Sequence, residues 1–212
     1  MTDEGDDLDE MLESLRRGEP QALAAVFARY RDRLRKLVEF RLDARLKGRV
    51  STSDVLQEAY IGTLKRLSHY QADPAVPFFI WLRSVTVQRL IDLHREHLGV
   101  KARDAAREVR LGHAGGIEAS SEKMAELMGD LTSPSQAARR GETIALVREA
   151  LDGLEPNDRE VLALRHFEEL SNHEVAALLG IRTAAASKRY VRAIERLKAA
   201  LERQPGLEGE AR

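Results

Sequence analysis

The sequence predicts an all-α protein made of two small helical domains joined by a flexible linker. Three observations carry that expectation. Apolar residues recur at steps of three and four along almost the whole chain, and no segment sustains the alternation a half-buried strand needs. Helix-start signals stand at the heads of periodic segments: Ser171 with Glu174, Ser133 with Gln136 around Pro134, and Pro156 after Glu155. Gly112, Gly115 and Gly116 interrupt the pattern between two groups of such segments.

The elements follow in order. Leu8, Met11, Leu12 and Leu15 predict a short helix stopped near Gly18, inside an acidic N-terminal extension at 1–18. Pro20 opens the next helix, with Leu23, Phe27, Tyr30, Leu34, Leu37 and Val38 on one face, running to about Gly48. A third starts around Ser53 and Asp54, carries Val55, Leu56, Ala59, Tyr60, Leu64 and Leu67, and is broken by Asp73-Pro74. A fourth spans about Phe78 to Leu98. These helices form a first domain at 19–98. Residues 99–133 read as a linker: a basic, helix-compatible stretch from Lys101 to Leu111, then the glycines, then a weakly patterned stretch. A second domain occupies 134–203, and 204–212 is a tail.

The most informative segment is LSNHEVAALLGIRTAAASKRYVRAIERLKAAL, from Leu170 to Leu201. Ser171 and Glu174 form a capping box, Val175, Ala176 and Leu179 make a buried stripe, and Gly180 suits the positive φ of a sharp turn that Ile181 plugs. Thr183 is expected to cap the second helix, whose Ala186, Tyr190, Ile194, Leu197 and Leu201 face inward. Ser187, Lys188, Arg192, Arg196 and Lys198 are left outside. Glu195 is the one acid from Arg182 to Lys198, so this face is directional in charge rather than the mixed face of a solvated helix. The spacing is that of a DNA-reading helix-turn-helix.

Composition narrows the classes. A chain of 212 residues, 43% hydrophobic, suffices for one large or two small cores. No apolar run reaches transmembrane length, and the acidic start, MTDEGDDLDE, is unlike a secretory signal, so the expected compartment is the cytoplasm. With no cysteine there is no disulfide, thiol nucleophile or cysteine-ligated zinc. The net charge of −1 conceals basic faces, because acids concentrate at Asp3, Glu4, Asp6, Asp7, Asp9 and Glu10.

The first domain has its own pattern. In DVLQEAY, Asp54, Gln57 and Glu58 share a polar helix face while Val55, Leu56 and Ala59 point inward. Taken alone, Asp54 and Gln57 have capping-box spacing, and capping is the simpler account. The next helix supplies a different context. Pro77-Phe78-Phe79-Ile80-Trp81-Leu82 gathers three aromatics in a chain with 5% aromatic residues, followed at helical spacing by Arg83, Gln88, Arg89 and Arg95. Aromatics beside cations suit unstacked bases and phosphates. Phe79 and Leu82 are expected in the core, and Trp81 divides evenly between core and nucleic-acid edge.

These segments together resemble the extracytoplasmic-function class of sigma factors in the sigma-70 family, the promoter-recognising subunits of bacterial RNA polymerase. The resemblance covers nearly the whole chain, in order and spacing. DVLQEAY is similar to the polymerase-binding helix of region two. FFIWLRSVTVQRLIDLHREHL is similar to the adjoining helix that engages the minus-10 element, and 147–201 to region four. The resemblance implies that Asp54, Gln57 and Glu58 face the β′ coiled coil. It further implies a loop from Tyr70 to Phe78 that captures a flipped minus-10 base, with Trp81, Gln88 and Arg89 nearby. Arg182, Thr183, Ser187, Lys188, Val191 and Arg192 would lie at the minus-35 major groove. Implied partners are core polymerase, through β′ and β, and promoter DNA, with an anti-sigma factor as a further candidate. No cofactor, metal or membrane is implied. Two departures stand out. Arg182 replaces the frequent Ser or Thr after Leu-Gly-Ile, which favours Thr183 as the cap. Gln88 replaces a frequent Asn and still offers an amide to a base edge.

Two other classes compete. For a metalloenzyme, His94 and His97 lie near Asp92 and Glu96, but His69, His113, His166 and His173 lack companion spacing, and no HExxH, phosphate-cradling glycine loop or GxSxG occurs. A stand-alone helix-turn-helix regulator explains 170–201 but leaves DVLQEAY and the aromatic-basic helix without a task.

Overall fold

A computed structural model describes residues 3–19, 21–46, 48–72, 76–98, 121, 123–125 and 137–203. Every regular element among them is helical. The chain divides into two compact units, 1–107 and 108–212.

The first unit contains α1 (Asp3–Arg16), α2 (Ala22–Arg41), a 3-10 turn (Ala44–Leu46), α3 (Thr52–Ala72) and α4 (Phe78–Leu98). Helix α1 ends as expected, with Gly18 in the left-handed region at φ 76°. Its last turn is tied to α3 by Gln71, whose Nε2 donates to the Leu15 carbonyl at 2.5 Å. Pro20, expected to open α2, lies outside the described residues, as do Asp73 and Pro74. Leu23, Val26, Phe27, Tyr30, Leu34, Leu37 and Val38 of α2 are buried against α3 and α4. Phe27 meets Tyr60 of α3 edge to face, with ring centroids 5.1 Å apart.

Helix α2 stops at Arg41, well short of Gly48, and the cause is a long-range contact. The Asp43 amide, which would continue the helix, donates instead to His94 Nε2 of α4 at 3.3 Å. The Asp43 carboxylate then accepts from the Arg45 amide at 2.8 Å and clasps its guanidinium at 2.7 Å. That clasp holds the Asp43 carboxyl down to about 2.

Helices α3 and α4 approach closely because Gly62 has no side chain: a Cβ there would meet Val85 Cγ1 at 3.3 Å. Thr63 and Thr86, buried at this seam, return their hydroxyls to their own helices, to the carbonyls of Ala59 at 2.7 Å and Leu82 at 3.0 Å.

The second unit contains α5 (Ala137–Asp152), α6 (Pro156–His166), α7 (Asn172–Leu179) and α8 (Thr183–Glu202). The expected start signal at 133–136 lies outside the described residues. Most of 99–133, expected as a linker, does too, but Ser121 and residues 123–125 are helical, with Ser121, Met124 and Ala125 buried. Arg159 of α6 donates from Nη1 to Ser121 Oγ at 3.2 Å. Pro156 occupies the first turn of α6, where its missing N–H leaves no helix bond unmade.

The capping box of α7 forms as expected. Ser171 Oγ accepts from the Glu174 amide at 3.2 Å, and Glu174 Oε2 accepts from the Ser171 amide at 2.8 Å. Gly180 follows at φ 63°, and the Ile181 amide reaches back to the Ala176 carbonyl at 3.0 Å, closing the helix end so that α8 turns sharply across it. The cap of α8 differs from expectation. Arg182 is the N-cap, extended at ψ 147° with no side-chain cap bond, and Thr183 is already the first helical residue. From that position the Thr183 hydroxyl sits too far into the first turn to play the N-cap part. Ala186, Ala193 and Leu197 are buried, while Tyr190, Ile194 and Leu201 are half-buried.

Candidate DNA and polymerase interfaces

In the second unit, α8 lays its expected contact residues along one outward stripe. Arg182, Thr183, Lys188, Val191 and Arg192 are exposed, and Ser187 is half-buried beside them. Lys188 and Arg192 stand one turn apart, as do Ser187 and Val191. Val191 is 51% exposed, one of three exposed large apolar side chains among the described residues. Among the described residues neither Lys188 nor Arg192 has an ion-pair partner.

The helix-turn-helix has supports that the local pattern did not reveal. Tyr190 pairs its hydroxyl with His166 Nε2 at 3.1 Å, while the Arg165 guanidinium lies 5.4 Å from the Tyr190 ring centre. Burial, with Arg165 nearby, lowers the His166 pKa. Arg196 is exposed, as expected, but its guanidinium reaches back to Asp158, which is buried at the first turn of α6. The free positive stripe therefore lies in the N-terminal half of α8, the end a recognition helix points into the groove.

In the first unit, Asp54, Gln57 and Glu58 are exposed on α3. The capping account of Asp54 is displaced: Ser51 Oγ accepts from the Asp54 amide at 3.1 Å, so Ser51 does the capping and Asp54 stands inside the first turn. Ile61 and Leu64, 42% and 57% exposed, continue this face along the helix.

The aromatic helix is built otherwise than its composition suggests. Phe78 and Tyr70 are buried, and Trp81 closes a cluster with them, its ring centroid 4.8 Å from Tyr70 and 5.5 Å from Phe78. Tyr70 donates its hydroxyl to the Val76 carbonyl at 3.1 Å, and burial raises its pKa. Phe79 is also buried, with the Arg33 guanidinium 3.6 Å from its ring centre. Trp81, half-buried, is the member of the cluster with an accessible edge. The loop expected from Tyr70 to Phe78 is shorter, because Tyr70 to Ala72 belong to α3 and Phe78 begins α4; residues 73–75 lie outside the described residues.

The polar candidates of α4 all have partners. Arg83, the first cation after the aromatics, is 2% exposed and bonded within the fold. Gln88 donates to Asp92 at 3.1 Å, and Arg95 pairs with the same carboxylate at 3.7 Å. Arg89 donates from Nε to Glu58 across the α3–α4 seam and from Nη1 to Glu96 at 3.1 Å. Burial opposes the charge on Arg89, but the bonds to Glu96 and Glu58 outweigh it and raise its pKa. His94 is committed to the Asp43 amide, and burial lowers its pKa.

Known proteins agree with these features. The profile of the ECF sigma factor family matches residues 5–203. The ECF RNA polymerase sigma factor SigD of Mycobacterium tuberculosis is 28% identical over 198 residues, covering 93% of this chain and 85% of that protein. The RNA polymerase sigma-H factor of Pseudomonas aeruginosa is 28% identical over 195 residues, with 91% and 93% covered. Among solved structures, CnrH in complex with the cytosolic domain of CnrY superposes with a TM-score of 0.50 at 22% identity, covering 92% of this chain and 97% of that one, a likeness of fold. The chain belongs to the ECF sigma factors, promoter-recognising subunits that bind core RNA polymerase and direct transcription initiation.

Proposed function

We propose that the two units divide the work of promoter recognition. The second unit reads the minus-35 duplex with α8: Lys188, Ser187 and Val191 at base edges, Arg182, Thr183 and Arg192 toward the backbone. The first unit binds the β′ subunit through Asp54, Gln57 and Glu58. It also holds the melted minus-10 strand beside Trp81, Gln88 and Arg89, with Tyr70 and Phe78 as the packed base under Trp81. Binding energy spent on the unstacked strand stabilises the open complex. This chain works by binding alone, without covalent chemistry of its own, and acts in the cytoplasm. Among the described residues no helix is long and apolar enough to cross a membrane. An anti-sigma factor is a further proposed partner, in keeping with CnrH, which was solved in complex with the cytosolic domain of CnrY.

The observation that carries this reading is the cationic stripe of α8 around Lys188 and Arg192, which have no ion-pair partner among the described residues. The test is transcription from a promoter library randomised at the minus-35 element. Lys188→Ala is expected to relax preference at one base pair, and Arg192→Ala to weaken all sequences alike and reduce the salt slope by about one unit. Wild-type output and preference in both variants would overturn the assignment. Specific binding that survives without core polymerase would favour a stand-alone regulator.

A further inference from the structure

Gly62 of α3 lies against Val85 of α4. Because the helices run antiparallel, one turn back from Gly62 faces one turn on from Val85, and those positions are Glu58 and Arg89. The register thus brings a carboxylate proposed to face polymerase onto a guanidinium proposed to face the promoter strand. Glu96, two turns further along α4, takes a second edge of the same guanidinium. Arg89 keeps 23% of its side chain exposed, against 46% for Glu58 and 55% for Glu96. A phosphate approaching Arg89 therefore meets two carboxylates already in place. The neighbouring groups reinforce this, since Gln88 and Arg95 both engage Asp92.

We propose that Glu58 and Glu96 are positioning residues for Arg89: together they hold its guanidinium in the free chain, and polymerase, by taking Glu58, frees one edge of it for the promoter strand while Glu96 keeps the other. This rests on the assignment of Glu58 to polymerase and Arg89 to DNA. The physical basis is competition for one carboxylate. A polymerase cation that engages Glu58 weakens its hold on Arg89 and exposes positive potential where the unstacked strand lies. Linkage makes the effect reciprocal, so strand binding tightens polymerase binding by the same factor. Exposed ion pairs are individually weak, which sets the expected coupling at about threefold per carboxylate.

The test measures binding of a fluorescent, random-sequence single-stranded DNA about 12 nucleotides long, by the full chain alone and by the chain saturated with core polymerase, corrected for core polymerase without it. In the chain alone, Glu58→Gln and Glu96→Gln should each raise affinity about threefold and steepen the salt dependence. In an Arg89→Gln background neither should do so, which separates a specific tether from a general change of charge. With polymerase bound, the Glu58→Gln gain should vanish while the Glu96→Gln gain persists. Equal gains in the Arg89→Gln background, or a Glu58→Gln gain undiminished by polymerase, would overturn the proposal. If Arg89→Gln leaves binding by the polymerase complex unchanged, the DNA assignment of Arg89 fails and the proposal with it. If Arg89→Gln lowers that binding while the carboxylate variants do nothing to the free chain, the positioning role alone fails.

Discussion

Helices α4 and α8 are nearly the same length, 21 and 20 residues, and each carries several cations, yet they manage charge in opposite ways. On α4, Arg83 is buried, and Arg89 and Arg95 bind carboxylates of their own unit. On α8, the cation drawn back to a carboxylate of another helix is Arg196, in the C-terminal half, while Lys188 and Arg192 have no ion-pair partner among the described residues. Counting cations along a helix therefore does not locate a nucleic-acid face. What matters is which cations the fold has already spent, because a paired guanidinium must be unpaired before a phosphate can use it.

The largest effect expected from this contrast lies in the core beneath α4. Phe78→Ala should destabilise the first unit by about 3–5 kcal/mol, as loss of a buried aromatic does, measured by denaturant unfolding. A wild-type midpoint would break the claim that this aromatic cluster is structural. Trp81 sharpens it from the other side, since its edge is accessible. Trp81→Ala should impair opening of duplex promoter more than binding to a template already mismatched at the minus-10 element, by about 1–3 kcal/mol for one stacked base. Equal loss on both templates with a lowered melting temperature would assign Trp81 wholly to the core.

On α8 the balance reverses. Lys188→Ala should change stability by no more than about 0.5 kcal/mol, while discrimination at one minus-35 base pair falls by about 1–3 kcal/mol. A smaller effect is expected at the turn. Ser171→Ala removes half of the α7 capping box and should cost about 1 kcal/mol of stability without altering base preference, which base-resolved transcription would check.

The smallest effect is a pH dependence. Burial lowers the pKa of His94 from its usual 6.5, so the unfolded chain takes up that proton first as pH falls. The contribution is constant above 6.5 and is lost as pH drops below it, in the same sense as that of His166. Asp43, held at about 2 against a usual 3.8, acts in a lower window, its stabilisation being present above 3.8 and lost as pH falls toward 2. His94→Gln, which keeps an acceptor for the Asp43 amide, should flatten unfolding free energy between 6.5 and 3.8. An unchanged profile would remove His94 from the account.

Much of the second unit was legible in advance because its signals are local. The Ser171–Glu174 box and the positive φ of Gly180 involve residues within one turn of each other. The same holds for the outward stripe of Lys188, Val191 and Arg192, which follows from helical periodicity once the buried side is known. Local reasoning missed in two places, once at a helix boundary and once through a distant group. Thr183 lost the cap to Arg182 by one residue, a boundary that periodicity does not resolve. Helix α2 ended seven residues before Gly48 because His94, 51 positions away, captures the Asp43 amide.

By itself the sequence determined the helical class, the order of the elements, the turn of the helix-turn-helix and the membership of the family, since periodicity, capping and glycine placement act over three or four residues. Only the tertiary structure decided which charges remain available. Arg89 meets Glu58 across 31 positions and Arg196 meets Asp158 across 38, and nothing in the local pattern distinguishes either from Lys188 or Arg192. A guanidinium reaches across a helix seam to whatever carboxylate the register brings opposite it, and that register exists only once Gly62 and Val85 have packed and Leu197 has closed onto its neighbours.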